Sequence, residues 1–482
     1  MINSIQQFQT KGINELKALQ MAFVKTKSFT DLEKGIEKVV LEFGRNLMKE
    51  SLEQLDQAIR DSHERKCHKW EIVRRDDKAL TTRLGSFTYQ KTLYRNRERK
   101  ESGYLIDRIL GFDSCLKMTE LAEACLLEET VESCYRKGGK AVSLLDDVSK
   151  ETVMNKIHSL DFSRIPEKAT EKREVPILYI DADEDHVALQ YCRQKGDLKG
   201  RGFNKGNCKI AKLVYVYEGV KKTAPQSNRH ELINVHYFSG TYEDNKQLWQ
   251  EVYAYLERTY DLSKIKKVYL NSDGGAWIKG AENNLGGLTK VLDEFHLQKY
   301  LTKMVGGLLD SADDERNELM EIIRKGKMEE FGRETERILA VTEGRSAQKR
   351  IAESANYILR NWTAARVRLQ RRTGICGCSA EGHVSHVLSS RMSSRPLGWS
   401  EKGVDKMAHL RAYYFNRGDM LELVRAQRIP KAAGGEKDII LDTKKLGEQA
   451  AASWGKYVDV SNHTVSTMAQ KYAWFSAGIT GI

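Results

Sequence analysis

Four carboxylates stand within five positions of the stretch PILYIDADEDHVALQ, residues 176–190: Asp181, Asp183, Glu184 and Asp185. They interrupt an apolar run that otherwise reads as a strand. An unpaired buried carboxylate is very costly, so a strand covered on both faces should not carry them. A second such place is YLNSDGGAWIKG, where apolar residues Val268–Leu270 run out into Asn271, Ser272 and Asp273. Alone, an Asp before Gly-Gly reads as a turn residue. Together, the two places read as strands of one sheet that deliver a carboxylate each to one position. Two carboxylates so placed repel, and one pKa rises unless a cation sits between them. Hard divalent ions such as Mg²⁺ take such oxygens. Two ions about 3.5–4 Å apart activate a nucleophile and stabilise a leaving oxygen in phosphoryl transfer. A third carboxylate completes such a site. The best candidate downstream is Glu381 in GCSAEGHVSHVLSSRMSSRPLGW, in the first turn of a predicted helix. Alone it would simply complement the helix dipole. Arg391 and Arg395 follow as cations suited to holding a DNA strand.

The elements that must position these acids are legible in outline. Residues 176–190, CKIAKLVYVYEGV and ELINVHYFSG read as three strands in a row. NKQLWQEVYAYLERTY reads as a helix and IKKVYLNSDGG as a further strand. That order predicts a mixed α/β sheet with an antiparallel meander. From about 285 to 370 the pattern is helical without a strand, with Leu292, Phe295, Tyr300 and Leu301 near one stripe. A helix is expected to begin near Ser379. Upstream, residues 30–65 read as a long amphipathic helix with a Thr30–Glu33 capping box. Residues 81–96 read as one or two antiparallel strands, followed by the basic turn RNRERK. A helix predicted to end near Leu145 and a second one N-capped by Ser149 have helix-turn-helix spacing. The second helix would offer Lys150, Asn155 or Lys156 to a major groove. The boundaries expected are 1–80 helical, with a dimerisation role; 81–165 DNA-binding; 171–284 core, first part; 285–372 helical insertion; 373–415 core, second part; and 416–482 C-terminal.

Composition narrows the classes. At 482 residues the chain is too long for one ordinary core. It is 40% hydrophobic and 30% charged, with five prolines, which suits a soluble globular protein. A formal charge of +12 points to a polyanionic partner, nucleic acid before membrane. No window has the length and apolarity of a transmembrane helix, and the start MINSIQQFQTKG lacks the pattern of a secretory signal. The eight cysteines are scattered, as expected of reduced thiols. Cys376 and Cys378, with His383 nearby, look like half a zinc site, but no second pair stands at finger spacing.

Strand-Asp, strand-end Asp, helical insert and helix-Glu form a pattern that resembles the DDE transposases with a ribonuclease-H-like core. More narrowly, the chain is similar to the ISLre-type insertion-sequence transposases, akin to Mutator-type enzymes. The matching motifs are LYIDADEDHVALQ, NSDGGAWIKGA, VLDEFHLQKYL and CSAEGHVSHVLSSRMSSRPLGWS, with FTYQKTLYRNR near the N-terminus. The resemblance covers nearly the whole chain. It implies an α/β catalytic core interrupted by an all-helical insertion and preceded by a mainly helical DNA-binding region. It implies catalytic, metal-binding roles for Asp183, Asp273 and Glu381, with Mg²⁺, or Mn²⁺ in its place, as cofactor. Asp183 is set as the first acid because Val187 and Leu189 then continue the strand as in related families. Many relatives have Asp-Gly where this chain has Asp183-Glu184. Asp181 shares the strand face two residues earlier and is the second choice, whereas Glu184 points to the opposite face and Asp185 lies further along. His296 stands where Mutator-like relatives carry a His, with contact to the scissile phosphate as one role and a structural role beside Asp293 as the other. His383 and His386 flank Glu381 without being ligands, and Trp277 is a core residue before it is a stacking platform. The implied partner is double-stranded DNA, as terminal inverted repeats and as target, bound by a homodimer or larger assembly in the bacterial cytoplasm. A nuclease that does not join strands and a catalytically dead DNA-binding protein are the alternatives.

Overall fold

The computed structural model describes residues 3–113, 115–166, 171–190, 207–227, 229–281, 286–370, 374–395 and 397–428. Most of the expected C-terminal region, residues 429–482, and Cys192 lie outside these. The chain divides into two compact units. One holds residues up to Thr130 with Cys134–Val153 and 423–428; the other holds Val131–Ser133 and Met154–Glu422. Among the described residues, no helix is long and apolar enough to cross a membrane.

In the first unit the long helix spans Phe29–Asp61. It starts earlier than the Thr30 capping box implies, because Ser28 has an extended backbone and accepts from the Asp31 amide at 3.4 Å. Strand β1 (Trp70–Thr82) pairs antiparallel with β2 (Gly85–Asn96) across a two-residue turn, and β2 pairs with β3 (Glu101–Tyr104). The boundary expected at residue 80 therefore falls inside a strand. The helix Tyr135–Ala141 ends four residues before Leu145, although Ser149 does accept from the Thr152 amide at 3.2 Å to start Lys150–Ser159. The connection through 142–149 is longer than the roughly three- to four-residue turn of a helix-turn-helix.

The second unit is built on a five-stranded sheet whose order from edge to edge is Leu288–Leu292, Lys267–Ser272, Ile177–Ala188, Cys208–Tyr217 and His236–Gly240. Its strands are β4 (Ile177–Ala188), β5 (Cys208–Tyr217), β8 (His236–Gly240), β9 (Lys267–Ser272) and β10 (Leu288–Leu292), with a small hairpin of β6 (Gly219–Lys222) and β7 (His230–Ile233) beside it. β4, β5 and β8 form the antiparallel meander, while β9 and β10 run parallel to β4. β10 corrects the expectation of a strand-free segment after 285. Its Leu288, Val291 and Leu292 merge into the spacing of the helix Glu294–Val305 that follows. In that helix the core-facing residues are Leu297, Leu301, Met304 and Val305, while Phe295 is 53% exposed.

Alternation assigns the two sheet faces. Leu178, Ile180 and Ala182 of β4 join Val214, Val216 and Leu270 in a core closed by Leu248, Trp249 and Val252 of the helix Asn245–Thr259. The odd residues of β4 face the other way, towards the helix Ala380–Val384, while the helix Glu401–Phe415 packs on β5 and β8. A separate helical core, including Leu301, Ile323, Phe331, Ile358 and Trp362, grows from the β10 edge of the sheet.

Candidate active site: a row of aspartates at strand ends

The odd face of β4 is polar by construction. Asp181 is fully buried. It accepts from the Tyr215 hydroxyl at 2.8 Å, the Tyr217 hydroxyl at 3.1 Å, the Asn271 amide at 2.6 Å and the Ser379 backbone N–H at 3.1 Å. Burial raises its pKa against these bonds. With its lone pairs so filled, Asp181 ties β4, β5, β9 and the start of the 380–384 helix together, and it has little left for an ion. Asp185 is likewise engaged, by the Ser393 hydroxyl at 2.8 Å and 3.0 Å. Glu184 does lie on the opposite face, where its carboxylate accepts from Trp277 Nε1 at 2.5 Å and neighbours His186 at 3.5 Å. Trp277 packs there against the sheet core.

Asp183 is differently placed. The parallel register pairs Ala182 with Ser272 and Ser272 with Leu292. One residue further along, the three strands carry Asp183, Asp273 and Asp293. β9 and β10 stop there, whereas β4 continues beside β5, so the row stands where the sheet opens. The Asp293 amide still donates to the Ser272 carbonyl at 2.9 Å, which keeps the row in register. Burial first, and then the Asp273 charge, push the Asp183 carboxyl up to about 6, although the Glu184 amide donates to it at 2.8 Å and His296 pulls the other way.

Asp273 is fixed by its turn and by the helical block. Its Oδ1 accepts from the Gly275 amide at 2.8 Å, and its backbone carbonyl accepts from the Tyr357 hydroxyl. Gly274 has φ +85, and a Cβ there would meet Asn361 Oδ1 at 2.5 Å. Gly274→Ala is therefore expected to cost about 2 kcal/mol or more from the left-handed backbone and the clash together. It should also move Asp273, read as a lower urea midpoint and a changed amide spectrum at 272–275.

Asp293 is not among the acids the sequence singles out, because the apolar spacing of Leu288–Leu292 is also that of a helix; with the strand in place, DEFH puts it in the row. It binds His296 Nδ1 through Oδ2 at 2.9 Å. Burial opposes its ionisation, but the His296 hydrogen bond and charge win and hold the carboxyl below its usual value. The Asp293 bond, and secondarily the Asp293 and Asp273 charges, raise His296 against burial, which favours an imidazolium beside the row.

Glu381 is exposed in the first turn of the Ala380–Val384 helix, two residues from the Ser379–Asp181 anchor. Among the described residues, no three His, Cys, Asp or Glu stand close enough to hold a metal ion. The structure thus pairs Asp183 with Asp273 and leaves Glu381 apart from them. On donor chemistry the pair fits a hard divalent cation: two carboxylates from adjacent strands, one with its pKa pushed up to about 6 by burial and by the other's charge. His383 lies between Tyr215 and Tyr237, bonded to the Tyr237 hydroxyl at 2.8 Å, and burial pushes it down to about 4. His386 is exposed. Arg391, expected to face DNA, is buried with its guanidinium 4.9 Å from the Trp399 ring, while Arg395 is exposed. Cys378 is half-buried near Asp181, and desolvation and that charge push its thiol far up, so it holds its proton.

The Asp183 shift has a direct thermodynamic consequence. The folded pKa of about 6 lies above the ordinary 3.8. The neutral form therefore contributes stability at low pH that is lost as pH rises from about 4 through about 6. Asp183→Asn is expected to stabilise the EDTA-treated protein by about 2–3 kcal/mol at pH 7.5. The advantage should vanish near pH 4, as measured by denaturant midpoints across pH.

Three proteins of Caldanaerobacter subterraneus subsp. tengcongensis named as UPF0236 proteins are similar to this chain. Two are 32% identical over 413 residues, covering 86% of this chain and 83% and 79% of theirs. The third is 32% identical over 410 residues, covering 85% of this chain and 83% of its own, and its name joins eleven loci of that genome. With residues 24–428 matched by the family's model, the chain belongs to the uncharacterised protein family UPF0236.

Proposed function

We propose that this protein is a DDE-type transposase that cuts DNA at element ends and joins them to a target, on a ribonuclease-H-like core. The observation that carries the reading is the aspartate row: Asp183 on β4 beside Asp273, which directly follows the end of the adjacent parallel strand β9, next to an antiparallel meander. A helical block then intervenes before a Glu-bearing helix that packs on β4. The copy number of the relatives supports the reading, since one protein name shared by eleven loci of a genome is what a self-mobilising gene leaves behind. The formal charge of +12 supports a polyanionic substrate.

Asp183 and Asp273 would hold Mg²⁺ or Mn²⁺, with Glu381 as the third acid. Bound ions would supply a nucleophile at neutral pH and charge stabilisation for the leaving oxygen. The chain's own residues do the rest. The buried Asp181 network fixes β4 to β9 and so sets the spacing of the two acids. Asp293 keeps His296 charged, which offers a cation to a phosphate oxygen. Tyr357 and Gly274 hold the Asp273 turn.

The test is incubation with Mg²⁺, a supercoiled target and a labelled linear DNA carrying the sequences that flank the coding region. Cleavage at the element ends with labelled joined product is expected. Cleavage with no joined product would leave a nuclease, and DNA binding with neither would leave a DNA-binding protein.

A further inference from the structure

The helical block carries a cationic cleft that opens beside Asp273. It lies between the helices Glu294–Val305 and Arg345–Arg360, which pack through Leu297, Leu301 and Met304 against Ile351, Ala355 and Ile358. Its volume is about 560 Å³, within the range of ligand clefts, and its near end is Gly274. Tyr300 and Tyr357 stack at 3.8 Å and 22° to form one wall. Lys303 Nζ sits 4.9 Å from the Tyr300 ring centroid, and Arg350 and Arg360 project from the facing helix. All three cations are exposed and none forms an ion pair with a carboxylate among the described residues. The lone acid of the lining, Glu353, is engaged by Lys349 at 3.9 Å. A second cleft of about 610 Å³ shares Gly274, Arg360 and Asn361 and runs along β10. The two form a path on either side of the Arg360–Asn361 corner.

Unpaired long cations around an aromatic wall are the elements that bind a single nucleic-acid strand: charge for the phosphates, a flat face for a base. The wall is tied to the acid row, because the Tyr357 hydroxyl holds the Asp273 carbonyl. We infer that this cleft receives the phosphate backbone of one DNA strand as it leaves the aspartate row. A volume of about 560 Å³ is the size of a few nucleotides of one strand and far too small for a duplex. The inference rests on the transposase reading and adds a place for the single-stranded segment to it.

The experiment measures binding of labelled oligothymidylate and of a duplex of equal length by anisotropy, in EDTA, over a salt series. The full-length protein is compared with the R350A/R360A double variant and with R350K/R360K. The positions are exposed, and circular dichroism and the urea midpoint should match wild type. The alanine pair is expected to weaken single-strand binding about tenfold or more and to flatten the slope of log K against log salt by about 1.4, for two phosphates. Duplex binding should change less than threefold, and the lysine pair should restore most of the loss. Unchanged single-strand affinity and slope in the alanine pair, with wild-type cleavage intact, would overturn the inference and leave the transposase reading standing. Wild-type protein that binds and cuts no DNA would overturn both.

Discussion

Asp273→Asn is expected, under the proposed transposase function, to abolish DNA cleavage while leaving the fold and DNA binding in place. Its carboxylate stands next to Asp183 at the open end of the sheet, and its fixed contacts are made by one oxygen and by its backbone carbonyl. Asparagine keeps an oxygen for the Gly275 amide and keeps the backbone bond, so the turn survives. It loses the charge that, with Asp183, would hold a divalent ion. Loss of one group that stabilises developing charge costs about 10²–10³ in rate, and a metal ligand acting as part of a unit costs at least as much. Glu381→Gln should behave alike, with a stability nearer to wild type because Glu381 is exposed. Asp181→Asn is the informative contrast. There the Asn271 amide and the two tyrosine hydroxyls would face an amide in place of a carboxylate, so stability should fall. Gel assays of cleavage beside urea midpoints separate the cases. An Asp181→Asn protein that folds as wild type yet cannot cleave would exchange the roles given to Asp181 and Asp183.

Arg411→Met is expected to be the most destabilising single change on the face of the sheet that carries the acids, by about 3–5 kcal/mol. Arg411 is only 1% exposed. Its guanidinium donates to the backbone carbonyls of Val131 and His386 at 2.7 Å each, to Val387, and to Ser390 Oγ at 3.0 Å. The need is local. Residues 385–389 form a π-helical turn, and such a turn leaves carbonyls poorly satisfied within the helix. Burial draws the guanidinium down to about 10, which still leaves it charged at neutral pH. Methionine fills similar volume but leaves several buried carbonyls without donors, at about 1–3 kcal/mol each before relaxation. Lysine restores the charge without the fork of donors, so Arg411→Lys should recover only part of the loss. Hydrogen exchange should show the 380–392 segment opening first in the methionine variant. Equal protection of that segment in both proteins would show that Arg411 does not hold the Glu381 helix.

The sequence made the acids, the meander and the late helix legible because each leaves a period or a break in a period. Asp183 and Glu184 could be assigned to opposite faces from alternation alone, and Trp277 to the core side. What stayed hidden depends on register. Nothing local says that Asp293 stands in line with Asp273, because that follows from five residues of β10 whose apolar spacing merges with the next helix. Nor does any pattern show that Asp181 is saturated, since its partners come from positions 215, 217, 271 and 379. Arg391, expected to hold a DNA strand, instead packs on Trp399, a contact that no local pattern announces. The short helix Tyr135–Ala141 ended before the expected turn, where Val148 donates back to the Gly139 carbonyl at 3.1 Å.

The parallel pairing of β4 with β9 also bears on how the molecule is made. The meander β4-β5-β8 needs only chain up to Gly240, so its pairings close early as the protein emerges. β9 and β10 must then return from far along the chain to one edge of β4, and such long-range pairings form slowly. Asp181 waits longer still, for Ser379. The acids therefore meet late in folding, and a chain truncated before Ser379 would carry an incompletely bonded Asp181 in its sheet. Pulse-labelled hydrogen exchange should find the meander protected first and the β9 amides last, so that the aspartate row is complete only once the chain has passed Ser379.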